Sequence, residues 1–69
     1  MKLGVIGFGN MGSAIAKGFV SKKATDIKDI GVFDTYDKTR EMAKADGFNV
    51  YNDETELVKN SDTILVAVK

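Results

Sequence analysis

Apolar and polar positions fall into blocks along the chain that predict four strands separated by three helices. Four short apolar runs are typical of buried strands, and they cover residues 2–6, 30–33, 48–51 and 63–68. These runs lack strict alternation of apolar and polar residues, as expected for strands covered on both faces. Helices between such strands imply right-handed crossovers, so the pattern predicts an α/β fold with a parallel sheet.

The first helix is predicted from about Asn10, where the spacing of apolar residues changes. Apolar and small residues recur there at spacings of three and four, which places them on one helical face. They are Met11, Ala14, Ile15, Gly18 and Phe19. We expect the side chains of Met11, Ile15 and Phe19 to lie in the core, and the polar residues 21–29 to form a loop.

Capping signals mark the other two helices. Asp37 is the expected N-cap of a helix over residues 38–46, and Gly47 is its expected stop. Asp53, with Glu56 three residues later, resembles a capping box that opens a short third helix. The predicted order is therefore strand, helix, strand, helix, strand, helix, strand.

Composition excludes several kinds of protein. The 69 residues include ten basic and ten acidic side chains but no His, Cys, Pro or Trp. Disulfides, thiolate metal sites and histidine bases are thereby excluded, and zero net charge gives no reason to expect nucleic acid or an anionic membrane as partner. The apolar runs are far shorter than the ~20 residues of a membrane-spanning helix. We expect a small cytoplasmic domain, or part of one.

The turn after the first strand has the pattern Gly7-x-Gly9-x-x-Gly12. Gly7 permits a tight strand-to-helix turn, Gly9 lets a pyrophosphate approach the backbone, and Gly12 allows close packing of the helix on the strand. The pattern is weak by itself, but a predicted strand precedes it and a predicted helix follows it. It indicates a dinucleotide site; the alternative is a glycine-rich turn that serves only packing.

Asp34 closes the second strand, 22 residues after Gly12, where such sites place an acid that binds the adenosine ribose. A carboxylate there favours NAD(H) and should repel the 2′-phosphate of NADP(H). Thr35, Lys38 and Arg40 follow closely and could host that phosphate. The alternatives are a solvated strand-end acid or cap at Asp34, and an ordinary charged helix face at Lys38 and Arg40.

No set of residues has a spacing that indicates catalysis. The acids at positions 53, 54 and 56 are expected to open a helix rather than to bind a metal. Tyr36 and Tyr51 are expected to pack against other residues rather than to act as acids. We therefore predict no catalytic residue and no metal ligand in this chain, and nucleotide binding is the only chemistry its residues indicate.

Three segments resemble the pyrroline-5-carboxylate reductase family. Residues 7–18, Gly-Phe-Gly-Asn-Met-Gly-Ser-Ala-Ile-Ala-Lys-Gly, resemble the opening of that family, G-x-G-N-M-G-x-A-I-x-x-G. Asn52 stands where the family often has an asparagine before the third helix. Residues 61–69, which begin Ser-Asp and end Ala-Val-Lys, resemble a family segment that normally continues with Pro. The resemblance covers the whole chain.

The resemblance implies an activity and a set of site residues. The family reduces the C=N bond of 1-pyrroline-5-carboxylate to L-proline with NAD(P)H, the last step of proline biosynthesis. It implies a Rossmann-type sheet in the order 3-2-1-4, of which residues 1–69 form an incomplete N-terminal part. The residues it places at the pyrophosphate, the adenosine and the nicotinamide are, in chain order, Gly7, Phe8, Gly9, Asn10, Met11, Gly12, Asn52, Ala67, Val68 and Lys69; Asp34 and Thr35 complete the predicted cofactor site.

The chain also departs from the family's pattern. The family binds mostly NADP(H), whereas Asp34 favours NAD(H), so the expected cofactor is NADP(H) or NAD(H). Family members are several times longer, and a C-terminal helical domain supplies their substrate pocket and dimer interface. We therefore expect the 69-residue chain alone to have no reductase activity, and we expect small-molecule substrate to bind only in a full-length enzyme.

Two further expectations concern partners and alternative functions. In the order 3-2-1-4 the strand over residues 63–68 lies at an edge of the sheet, where its apolar residues favour self-association.

The alternatives to a reductase are another β-hydroxyacid-type dehydrogenase, such as a 3-hydroxyisobutyrate or 6-phosphogluconate type, and a non-enzymatic nucleotide-sensing module. The residues that follow Lys69 would discriminate among these.

Overall fold

The computed structural model describes residues 2–67, in which strands and helices alternate. Its elements are β1 (Leu3–Ile6), α1 (Asn10–Ser21), a 3₁₀ turn (Ile27–Asp29), β2 (Ile30–Phe33), α2 (Asp37–Ala45), β3 (Asn49–Val50), α3 (Glu54–Lys59) and β4 (Thr63–Val66). The predicted element order is confirmed. No helix in the described part of the chain is long and apolar enough to cross a membrane.

The four strands form one parallel sheet in the order β3-β2-β1-β4. Gly4 lies in register with Gly31 on one side and Ile64 on the other. The order reverses between β1 and β4, so their carboxyl ends border the crevice where ligands of open α/β sheets bind. The predicted Rossmann-type sheet is confirmed, with β4 at one edge.

The two faces of the sheet are packed differently. On one face, β1 and β2 contribute large side chains to a buried cluster with α1 and α2; its members are Leu3, Val5, Phe8, Ala16, Ile30, Val32, Ala43 and Phe48. On the other face, Gly4 and Gly31 lie side by side. A Cβ on Gly31 would stand only 2.7 Å from the Tyr51 ring and 3.0 Å from a Leu57 methyl carbon. The absence of side chains there lets α3 lie close to the sheet.

Some predicted boundaries and contacts are wrong. β3 has two residues rather than four, and residues 21–29 contain the last residue of α1 and a 3₁₀ turn. Met11 is 57% exposed rather than in the core, because α1 turns its small residues Gly12 and Ala16 to the sheet. β4 ends at Val66, and position 68 lies outside the described residues.

The capping predictions have mixed outcomes. Tyr36, not Asp37, is the N-cap of α2, and Asp37 is the first helical residue. Gly47 follows the end of α2 with a φ of 102°, which confirms the predicted glycine stop. Asp53 caps α3 as expected, although its carboxylate accepts from the Thr55 N–H, at 2.8 Å, rather than from Glu56.

A pair of substitutions on α3 tests the packing of the glycine face. Leu57 is fully buried, whereas its neighbour Val58 is 48% exposed. We expect Leu57→Ala to lower the free energy of unfolding by about 2–5 kcal/mol, because it leaves a cavity beside Gly31. Val58→Ala should change it by about 0.5 kcal/mol or less. Urea unfolding measures both, and equal losses would contradict this account of the α3 packing.

Candidate functional site: the glycine turn and its cleft

The three glycines of the turn have three different surroundings. Gly7 has a φ of 92°, a left-handed conformation that favours glycine, and its N–H donates to the Phe33 carbonyl at 2.8 Å. A Cβ on Gly12 would overlap the Gly7 carbonyl oxygen, so α1 packs directly on the turn. A Cβ on Gly9 would have no atom within 4 Å. The backbone at Gly9 is therefore open to a ligand.

The N-terminus of α1 is suited to an anion. Gly9 is its N-cap, no side chain caps it, and its first turn contains no acid. The first i to i+4 hydrogen bond of the helix runs from the Ser13 N–H to the Gly9 carbonyl, at 2.9 Å. The preceding N–H groups of the first turn have no intrahelical partner, and together with the helix dipole they favour a phosphate.

Asp34 fastens the end of β2 to the glycine turn. One oxygen of its half-buried carboxylate accepts the Phe8 N–H at 2.8 Å, and the other accepts the Tyr36 N–H at 2.9 Å. Hydrogen bonds to an ionised acceptor are among the stronger ones in proteins. Asp34 is therefore not simply a solvated acid at a strand end, because it ties two loops together.

Arg40 forms hydrogen bonds with the segment that leads from β2 into α2. Its guanidinium donates to the Asp34 carbonyl oxygen at 2.6 Å and also pairs with the Asp37 carboxylate. The Arg40 side chain is only partly exposed. These bonds hold it against the backbone of the loop between β2 and α2.

A cleft of about 950 Å³ opens beside the turn, at the carboxyl ends of β1 and β2. That volume is in the range of small-molecule sites, about 300–1,000 Å³. The cleft is lined by Gly7, Gly9, Asn10, Met11, Asp34, Thr35, Tyr36, Thr39 and Ala67. The Ala67 N–H donates to the Ile6 carbonyl at 2.8 Å, which brings the end of β4 beside the turn.

The structure brings seven of the predicted cofactor residues together in this cleft, and they are Gly7, Gly9, Asn10, Met11, Asp34, Thr35 and Ala67. Phe8 lies beside them with a different role. Its ring is buried, with its centroid 5.1 Å from that of the Phe48 ring, and its N–H donates to the Asp34 carboxylate. Asn52 lines a separate pocket of about 240 Å³ with Arg40. Val68 and Lys69 lie outside the described residues.

Sequence reasoning missed two residues of the cleft, Tyr36 and Thr39. Tyr36 was expected to pack against other residues, but it is 73% exposed. Both residues follow β2 directly, at the N-terminus of α2. Because ligands of parallel sheets bind beyond the carboxyl ends of the strands, this position after Asp34 was the available signal.

Comparisons with known proteins agree with this geometry. Residues 2–69 match the family described as NADP oxidoreductase, coenzyme F420-dependent. The chain belongs to this family. It is 41% identical over 69 residues to a pyrroline-5-carboxylate reductase of Aquifex aeolicus and 33% identical over 69 residues to one of Methanosarcina acetivorans. It is also 37% identical over 68 residues to an uncharacterized 28.5 kDa protein of Methanothermus fervidus.

These matches cover nearly all of the chain, but only 25–26% of each relative. The chain thus spans about a quarter of the length of the curated relatives it matches. The resemblance to the pyrroline-5-carboxylate reductase family is confirmed, and the matched family is described as an oxidoreductase family that uses a pyridine nucleotide, NADP. Coenzyme F420, which the family description also names, was not among the predicted cofactors.

The surroundings of the glycines predict that one added methyl group destabilises the fold at Gly12 but not at Gly9. Gly12→Ala should lower the free energy of unfolding by about 1–3 kcal/mol, because the Cβ meets a backbone oxygen that cannot swing aside. Gly9→Ala should leave it within about 1 kcal/mol of the original value, because Gly9 has an extended conformation and open space. Thermal or urea unfolding of both variants measures this. A stable Gly12→Ala variant would contradict the close packing of α1.

Proposed function

We propose that this chain is the NAD(P)H-binding N-terminal part of a pyrroline-5-carboxylate reductase, which reduces 1-pyrroline-5-carboxylate to L-proline. The observation that carries the proposal is the open backbone at Gly9 beside the uncapped N-terminus of α1, within a cleft of about 950 Å³. The names of two relatives, 41% and 33% identical, support the choice of reaction.

In this proposal, the residues of the chain bind and orient the cofactor. The first-turn N–H groups of α1, with those of Asn10 and Met11 foremost, hold the pyrophosphate. Asp34 and Thr35 face the adenosine ribose, and Ala67 with the two residues after it lies on the nicotinamide side. Asn52 reaches the adenosine only if the cofactor extends over the loop after β2, since it lines the neighbouring pocket.

A bound nucleotide would supply hydride to the C=N carbon while the nitrogen takes up a proton, and the protein's part would be to place the reactive atom of the nucleotide against the substrate. Within the described residues of this chain we assign no group to substrate. We therefore expect the 69-residue chain to form no proline from pyrroline carboxylate.

The expected location of this protein in the cytoplasm stays a prediction.

Nucleotide binding can be tested by protection from thermal unfolding. A ligand that binds only the folded state stabilises it, by about 2.7 kcal/mol at a hundredfold excess over Kd. We expect NADH or NADPH to raise the Tm of the chain, and Gly9→Ala to lose that rise while its unliganded Tm stays close to the original. If neither nucleotide raises the Tm of the folded chain, the proposal is wrong.

We also propose that the chain associates with itself through β4. Ile64 and Val66 are exposed on this edge strand, and its outer backbone groups have no neighbouring strand among residues 2–67. Sedimentation velocity should show a dimer whose fraction grows with concentration. Val66→Lys should reduce it, because a charge on an edge strand opposes pairing. A monomer at every concentration would contradict the proposal.

A further inference from the structure

The charges around the cleft bear on which pyridine nucleotide fits. NAD(H) and NADP(H) differ by one phosphate, carried on the adenosine 2′-oxygen. Among the described residues that line the cleft, Asp34 has the only charged side chain. Its carboxylate stands at the end of β2, where an acid accepts hydrogen bonds from ribose hydroxyls. A 2′-phosphate there would instead bring a second anion beside a carboxylate.

Asp34 is not free to turn away from such an anion. Its two oxygens accept the N–H groups of Phe8 and Tyr36, which belong to two different loops. A carboxylate has about four acceptor positions, so both oxygens keep capacity for ribose hydroxyls. Rotating the carboxylate to admit a phosphate would break both bonds. The same contacts therefore hold the glycine turn in place and keep negative charge in the cleft.

Arg40, the residue best suited to pair with a 2′-phosphate, is occupied. Its guanidinium is bound by the Asp34 carbonyl oxygen and the Asp37 carboxylate, and it lines the pocket beside α2 rather than the cleft. The pairing also places the negative charge of Asp37 beside the guanidinium. Lys38 is exposed and does not line the cleft.

We propose that this cleft selects NAD(H) over NADP(H). Asp34 discriminates directly, and Asp37 acts as a positioning residue that keeps Arg40 away from the 2′ position. The inference rests on the proposed nucleotide-binding function and departs from the family description, which names NADP. A carboxylate and a phosphate at close range repel each other, and only about 1.4 kcal/mol of repulsion is needed for a tenfold difference in Kd.

The test is calorimetric titration of the full chain with NADH and, separately, with NADPH. We expect the Kd for NADH to be at least about tenfold lower. The ratio of the Kd for NADPH to the Kd for NADH should fall towards one as the salt concentration is raised, because salt screens the repulsion between the Asp34 carboxylate and the 2′-phosphate. Failure of both nucleotides to bind would overturn the proposed function. Binding of NADPH as tightly as NADH would overturn this inference alone.

Three variants assign the discrimination to its residues. Asp37→Asn should release Arg40 and tighten NADPH binding severalfold while NADH binding changes little. Asp34→Asn should weaken NADH binding and bring the ratio of the two Kd values close to one; if this variant does not fold, Asp37→Asn decides. Asp26→Asn removes an exposed carboxylate before the opposite end of β2 and should leave the ratio unchanged. A ratio that responds equally to all three would contradict the assignment.

Discussion

The close approach of α1 to the end of β1 is the constraint on which the rest of the site depends. The Gly7 carbonyl oxygen occupies the place that a Cβ on residue 12 would take. Because the helix starts this near to the strand, its N-terminus faces the carboxyl edge of the sheet, where the ends of β2 and β4 also lie. One contact between two glycines thus decides where an anion could bind.

A second pair of glycines shapes the opposite face of the sheet. Gly4 and Gly31 replace side chains at the centre of β1 and β2, so Leu57 of α3 reaches the backbone of the sheet. The face toward α1 and α2 is filled instead by large residues of the same strands. This asymmetry lets a chain of 69 residues cover both faces of its two central strands, while β4 at the edge remains exposed.

Much of this architecture could be predicted from the sequence, because the signals for it are local. Apolar runs, the glycine turn and the Gly47 stop each reflect a preference of a few neighbouring residues. Some element boundaries and one cap differ locally from the prediction, but the errors that matter for the site concern contacts between distant segments. Met11 fits a helical apolar face, but the orientation of α1 is set by the contact between Gly12 and Gly7. The hydrogen bond from the Phe8 N–H to Asp34 spans 26 positions, so no spacing rule could indicate that the carboxylate supports the turn.

The position of Asp34 has a consequence for how cofactor choice can change in such a site. A residue that only touched the ribose could be exchanged without effect on the phosphate site. Asp34 also accepts the Phe8 N–H, and Phe8 is enclosed by Gly7 and Gly9 in the turn. Removing the charge of Asp34 to admit a 2′-phosphate therefore leaves the Phe8 N–H with a weaker acceptor or with none. Substitutions at Asp37 avoid that cost, because they act on Arg40 and leave both carboxylate bonds of Asp34 intact.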